Sequence, residues 1–134
     1  MKILIVEDDR TSQKILEKFL TPFGQCDLAS DGNEALDLFK AALGNCRRYD
    51  LVCLDIMMPK ADGHKVLREI RNLEIEKGLS EKDGAKIIMT SALDDTNNVI
   101  SSFKEGCQGY IVKPIDRERL LNEISKLGLI QQEQ

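Results

Sequence analysis

The sequence predicts an α/β domain built as a doubly wound, five-stranded parallel sheet. Short apolar runs alternate with segments whose apolar residues repeat at helical spacing, the pattern of successive βα units. Three of those runs are apolar almost without a break, as expected of strands covered on both faces. The chain has 134 residues, enough for one such domain with a buried core and no need of disulfide or metal staples.

The elements follow in order. Lys2–Val6 reads as the first strand. Asp9–Leu20 reads as a helix with Ile15, Leu16, Phe19 and Leu20 on its apolar stripe, ended by Pro22 and Gly24. Cys26–Ala29 is a weaker strand and belongs at a sheet edge. Asn33–Leu43 is a helix that stops at Gly44, and Leu51–Leu54 is the third strand. His64–Asn72 carries Val66, Leu67 and Ile70 and is open to extension towards Lys77. Lys86–Thr90 is the fourth strand, and Thr96–Glu105 a helix with Val99, Ile100 and Phe103 before Gly106. Gly109–Val112 is the fifth strand, and Arg117–Leu127 the last helix, with Leu120, Leu121, Ile124 and Leu127 before Gly128. The domain is therefore drawn over residues 1–128, with 129–134 as a C-terminal tail.

Composition narrows the function classes. A net charge of -4 gives no overall field for nucleic acid or an anionic membrane. No apolar run approaches the length of a membrane span, and the first residues lack the form of a signal peptide. Cys26, Cys46, Cys53 and Cys107 form no C-x-x-C pair, and His64 is the single histidine, which argues against a zinc site. The expectation is a cytoplasmic protein with reduced cysteines that binds no nucleic acid or membrane directly.

In open α/β sheets ligands bind outside the carboxyl ends of the strands. Glu7, Asp8 and Asp9 follow strand one, Asp55 ends strand three, Ser91 and Ala92 follow strand four, and Lys113-Pro114 follow strand five. Each has a plain alternative: acids at a helix start, a capping aspartate, a loop hydroxyl, a surface lysine. Together they compose a phosphoryl-transfer site. Carboxylates confined together repel unless a divalent cation lies among them, and Mg²⁺ suits hard oxygen donors. With that cation, a carboxylate nucleophile, an ammonium and a hydroxyl are suited to forming an aspartyl phosphate.

The segments Ile3–Asp9, Asp50–Pro59, Asp62-Gly63, Ile87–Ala92 and Gly106–Pro114, in this order and spacing, resemble the receiver domain of two-component response regulators over nearly the whole chain. The resemblance implies a flavodoxin-like sheet of order 2-1-3-4-5. It implies Asp55 as phosphoacceptor, with Mg²⁺ held by Glu7, Asp8, Asp55 and the Met57 backbone carbonyl. Ser91, Lys113 and Tyr110 become the phosphoryl-binding and switch residues, with Asp9, Thr90, Ala92 and Pro114 in supporting positions. The Lys113-Pro114 bond is expected cis, aiming Lys113 into the site. The donor is expected to be a sensor histidine kinase or a histidine phosphotransfer protein. The downstream partner is expected on the fourth helix, fifth strand and fifth helix. His64 reads as a solvated or packed residue and not as a phosphodonor.

Three departures from the family pattern carry expectations of their own. The chain ends soon after the last helix, so no output domain is expected within it. Residues 73–84 are longer than a minimal receiver needs; they suit a solvated loop, or a longer third helix presenting Ile75 and Leu79 to a partner. Gln108-Gly109 stands where receivers of winged-helix transcription factors carry acidic residues, which argues against their dimer interface here. Met57 and Leu93, two positions after Asp55 and Ser91, border the path of the hydrolytic water by resemblance, and neither orients water well. The module is read as a switch and not as a turnover enzyme. The alternative is a Mg²⁺-dependent phosphohydrolase with an Asp nucleophile, for which Met57 stands where a second acid is needed.

Overall fold

The computed structural model describes residues 1–58, 61–80, 82–92 and 96–130. The elements are β1 (Lys2–Val6), α1 (Arg10–Leu20), a 3-10 turn (Thr21–Phe23), β2 (Gln25–Ala29), α2 (Gly32–Gly44), β3 (Leu51–Asp55), α3 (Gly63–Glu76), β4 (Lys86–Ser91), α4 (Thr96–Lys104), β5 (Gly109–Val112) and α5 (Arg117–Lys126). Between β3 and α3, Met57–Met58 and Ala61–Asp62 form a two-residue antiparallel ribbon. The five main strands are parallel and lie in the order β2-β1-β3-β4-β5, as expected, with β2 at an edge.

Alternation along the strands divides the core in two. Leu4, Val6, Val52, Leu54, Ile87 and Met89 pack with Phe39, Leu67 and Ile70 from α2 and α3. Ile3, Ile5, Leu51, Cys53, Ile88 and Ile111 pack with Leu16, Leu20, Leu120 and Ile124 from α1 and α5. A fully buried Leu or Ile contributes roughly 2 kcal/mol, so both faces of the sheet are strongly held. Among the described helices, the four with a side-chain N-cap all use aspartate: Asp9, Asp31, Asp62 and Asp116. Each cap is worth about 1 kcal/mol.

Two helical stripes differ from the periodicity reading. On α1 the buried residues are Gln13, Leu16 and Leu20, while Ile15 is 43% exposed. On α4, Ile100 and Phe103 are nearly half exposed and Ser102 is fully buried, its hydroxyl donating to Asn98 O. The apolar pattern there marks a surface more than a core.

The long segment after Leu73 extends α3 to Glu76. Ile75 is exposed, but Leu79 packs partly buried against the core and is not presented. The segment is anchored by Arg71. Its guanidinium donates to Glu74 Oε1 at 2.6 Å, Ala85 O at 2.8 Å, Gly106 O at 2.7 Å and Gln108 Oε1 at 2.8 Å. Buried Glu74 accepts Ala85 N–H through its other oxygen, and Gln108 Oε1 also accepts Ile87 N–H. Gln108 thus has a structural task, joining β5's approach to β4 and α3.

At the other end, Leu129 and Ile130 pack partly buried against the second core, so the first two residues of the expected tail lie on the domain. The remaining four, 131–134, lie outside the described residues, as does Leu93. No described helix is long and apolar enough to cross a membrane.

Candidate functional site

The chain changes direction across the sheet at β1, which has β2 on one side and β3 on the other. The crevice beyond the carboxyl ends of β1 and β3 lies at that switch point. Glu7, Asp8 and Asp55 meet there, each with a carboxylate oxygen within 4.8 Å of the others. Glu7 and Asp55 are buried and Asp8 is exposed, so the cluster opens to solvent at Asp8.

Backbone geometry explains the placement. Glu7 N–H donates to Ala29 O, continuing the β1–β2 ladder one residue past the strand. On the other side Ile56 N–H donates to Thr90 O and Gly63 N–H to Ile56 O. A Cβ at Gly63 would lie 2.5 Å from Asp55 O, so only glycine lets α3 start this close to the β3 end. Asp62 caps that helix by accepting from His64 N–H at 2.9 Å. This gives the Asp62-Gly63 pair a physical reason: one residue starts α3, the other lets it approach Asp55.

Lys113 closes the site from β5. Its Nζ lies 2.6 Å from Glu7 Oε1 and 3.2 Å from Asp55 Oδ2. Lys113 N–H also donates to Ser91 O at 2.7 Å, tying the ends of β4 and β5. Burial works against the ammonium charge, but the contacts with Glu7 and Asp55 prevail and hold Lys113 above the usual lysine range. Burial raises the Glu7 carboxyl above its ordinary range, the adjacent Asp55 adds to this, and Lys113 opposes it. Burial prevails, because Glu7 is almost fully enclosed beside a second carboxylate.

One ammonium offsets one of three carboxylate charges. At about 4 Å and an effective dielectric of ~20, two like charges cost on the order of 4 kcal/mol, comparable with much of a domain's net stability. The remaining charge and the all-oxygen donor set suit a hard divalent cation.

The other sequence candidates divide. Asp9 lies outside the cluster. Its carboxylate accepts Ser12 N–H and Ser12 Oγ–H, which hold it below the usual aspartate range. Thr90 is the register partner of Asp55, and Ser91 stands one residue further; both are buried, while Ala92 is exposed. Met57 N–H donates to Asp55 Oδ1 at 3.2 Å, and the Met57 side chain is 60% exposed. Tyr110 packs partly buried against the first core. The Lys113-Pro114 peptide is cis, as expected. His64 is not part of the Glu7, Asp8 and Asp55 cluster; its Nδ1 lies 3.4 Å from Glu105 Oε1. Sequence reasoning missed Gln13, a buried amide beside the acidic loop. A polar residue in register with Leu16 and Leu20 was the available signal.

A family model described as the response regulator receiver domain matches residues 3–125. The chain belongs to the response regulator receiver family. Receivers of this family are signalling modules of two-component systems. This receiver is 40% identical over 120 residues to a probable transcriptional regulator, ycf27, of Guillardia theta, covering 89% of this chain and 42% of that protein. The chain spans about half the length of the curated relatives it matches. Its fold is similar to that in the CheX-CheY-BeF3-Mg²⁺ complex from Borrelia burgdorferi, with a TM-score of 0.82 and 33% identity, covering 96% of this chain and 89% of that one. It is also similar to the co-crystal structure of the Saccharomyces cerevisiae histidine phosphotransfer protein Ypd1 and the receiver domain of Ssk1, with a TM-score of 0.84 and 26% identity, covering 98% and 90%.

Proposed function

We propose that this receiver accepts a phosphoryl group on Asp55 from a phosphohistidine of a sensor kinase or phosphotransfer protein, and that the product switches a protein-binding face. The observation that carries the reading is the meeting of Glu7, Asp8 and Asp55 with Lys113 Nζ at one sheet edge. Glu7, Asp8, Asp55 and the Met57 carbonyl are the proposed Mg²⁺ ligands; the cation, when bound, supplies positive charge to the phosphoryl oxygens. Mg²⁺ in the Borrelia complex supports that assignment.

The chain's own residues do the rest. An Asp55 oxygen forms the new P–O bond as the P–N bond to the donor imidazole breaks, and the imidazole nitrogen leaves with the electron pair. Lys113, already 3.2 Å from Asp55 Oδ2, donates to a phosphoryl oxygen. Ser91 donates a hydroxyl to another and draws the β4 end with it. Tyr110, three residues before Lys113 on β5, passes that shift to the face formed by α4, β5 and α5. Ile100 and Phe103 give α4 exposed apolar surface for a downstream protein.

The donor must bring its histidine to Asp55. An apolar groove of about 390 Å³, lined by Ser12, Ile15, Leu16, Lys113, Pro114 and Ile115, opens beside Lys113 and suits a helix carrying that histidine. The Ypd1 co-crystal structure supports a donor of this kind. Four free cysteines suit action in the reducing cytoplasm. The reading is of a stoichiometric switch: Met57, with its thioether, offers no second acid for turnover.

The test is incubation with acetyl phosphate and Mg²⁺. One phosphoryl group per chain is expected in the wild type and none in Asp55→Asn. Labelling of Asp55→Asn at the wild-type rate would overturn the assignment.

A further inference from the structure

Gln13 is 8% exposed and shares its helix face with Leu16 and Leu20. A buried amide among apolar side chains is costly unless its N–H groups find acceptors. They find two. Gln13 Nε2 lies 3.2 Å from Glu7 O and 3.3 Å from Ala29 O. Both acceptors are main-chain carbonyls at the carboxyl ends of β1 and β2. The opposite amide orientation would set oxygen against both, so chemistry fixes which way the group faces.

The consequence falls on the acidic loop. Glu7 N–H donates to the same Ala29 O at 3.0 Å, while Glu7 O accepts from Gln13. The peptide before Glu7 is thereby tied to β2 and the peptide after it to α1. That second peptide joins Glu7 to Asp8, and its plane sets the direction in which Asp8 leaves the strand. Gln13 N–H also donates to Asp9 O at 2.9 Å, and Asp9 N–H to Glu7 Oε2 at 3.3 Å. The Asp9 end is thus held by the first main-chain bond of α1, which any residue but proline would make at this position, and the Glu7 carbonyl by the Gln13 side chain. As a neutral donor it does so without reducing the negative potential that attracts a cation, which a lysine or arginine would.

We infer that Gln13 is a positioning residue for the cation site: its amide presets the Glu7-Asp8 peptide so that the acids converge before metal arrives. This rests on the Mg²⁺ reading above. Residues that orient a ligand-bearing group affect affinity by about tenfold or more when removed.

The test is Mg²⁺ titration followed by calorimetry on wild type and Gln13→Met, which keeps the side-chain length and loses the donors. The Mg²⁺ dissociation constant should rise about tenfold. At saturating Mg²⁺ the rate of labelling by acetyl phosphate should return to within about twofold of wild type, since the defect lies in assembling the site. An affinity unchanged by the substitution, or a rate loss that persists at saturation, overturns the inference. Should Gln13→Met fail to fold, the wild-type chain supplies the reading: the Gln13 side-chain amide resonances should shift with the same Mg²⁺ midpoint as the Glu7 and Asp8 amides. Resonances that stay still overturn the role. Wild type that binds no Mg²⁺ at all overturns the cation site itself, a different failure.

Discussion

Lys113 Nζ lies 2.6 Å from Glu7 Oε1, so the end of β5 closes onto the end of β1 across two intervening strands. In the metal-free chain this contact partly neutralises the acidic pocket. Lys113→Met leaves Glu7 and Asp55 buried without their cation. In chelator, unfolding free energy should fall by about 2 kcal/mol, below the usual cost of breaking a fully buried pair because Lys113 is partly exposed. Mg²⁺ should restore much of the loss. Denaturant melts of both proteins, with and without Mg²⁺, check this; an unchanged melt in chelator would show that the contact is incidental.

Glu7 also sets a pH dependence. Its folded carboxyl is raised above the ordinary value of 4.5 by burial first and Asp55 second. Between those two values the folded chain binds more protons than the unfolded chain. Stability from this group is therefore full below about pH 4.5 and declines as pH rises through the folded value. Glu7→Gln removes the titration. The stability difference between the variant and wild type in chelator should move in the variant's favour as pH rises from about 4 to 7. A trend of the opposite sign would contradict the assigned shift.

The segment after Leu73 depends on Arg71. Arg71→Met strands the buried Glu74 carboxylate, with an expected loss of about 3 kcal/mol. Adding Glu74→Gln should recover part of it, because the group left behind is then neutral. Thermal or denaturant unfolding of the single and double variants measures the coupling. Equal losses in both would remove the ion pair as the cause.

Under the proposed function, Met57 is expected to lengthen the lifetime of the phosphorylated state. Its exposed thioether, two residues after Asp55, accepts hydrogen bonds too weakly to orient a water. Met57→Asn should speed loss of the phosphoryl group by about fivefold, roughly 1 kcal/mol of barrier. Phosphate release after donor removal, at fixed Mg²⁺, gives the rate. A variant no faster than wild type would end this explanation and leave the Asp55 assignment untouched.

The main architecture was legible because strand and helix periods differ so clearly. Leu51–Leu54 and Lys86–Thr90 read as buried strands and are so in the fold, while the Asp62 and Asp116 caps emerged only from the backbone. The convergence of Glu7, Asp8 and Asp55 followed from one topological rule applied to strand ends. Periodicity misread Ile15, Ile100 and Phe103 as core, since apolar spacing does not distinguish a buried stripe from an exposed one. It also passed over Gln13, Arg71 and Gln108, whose roles depend on main-chain carbonyls brought near only by folding.

Asp55 is the proposed carrier of the phosphoryl group. The direct measurement is hydride trapping of the acetyl-phosphate-treated chain, which reduces an acyl phosphate to the corresponding alcohol, followed by peptide sequencing in the mass spectrometer. Homoserine is expected at position 55, with Glu7 and Asp8 unmodified. Reduction at either of those acids, with Asp55 intact, would contradict the Asp55 assignment.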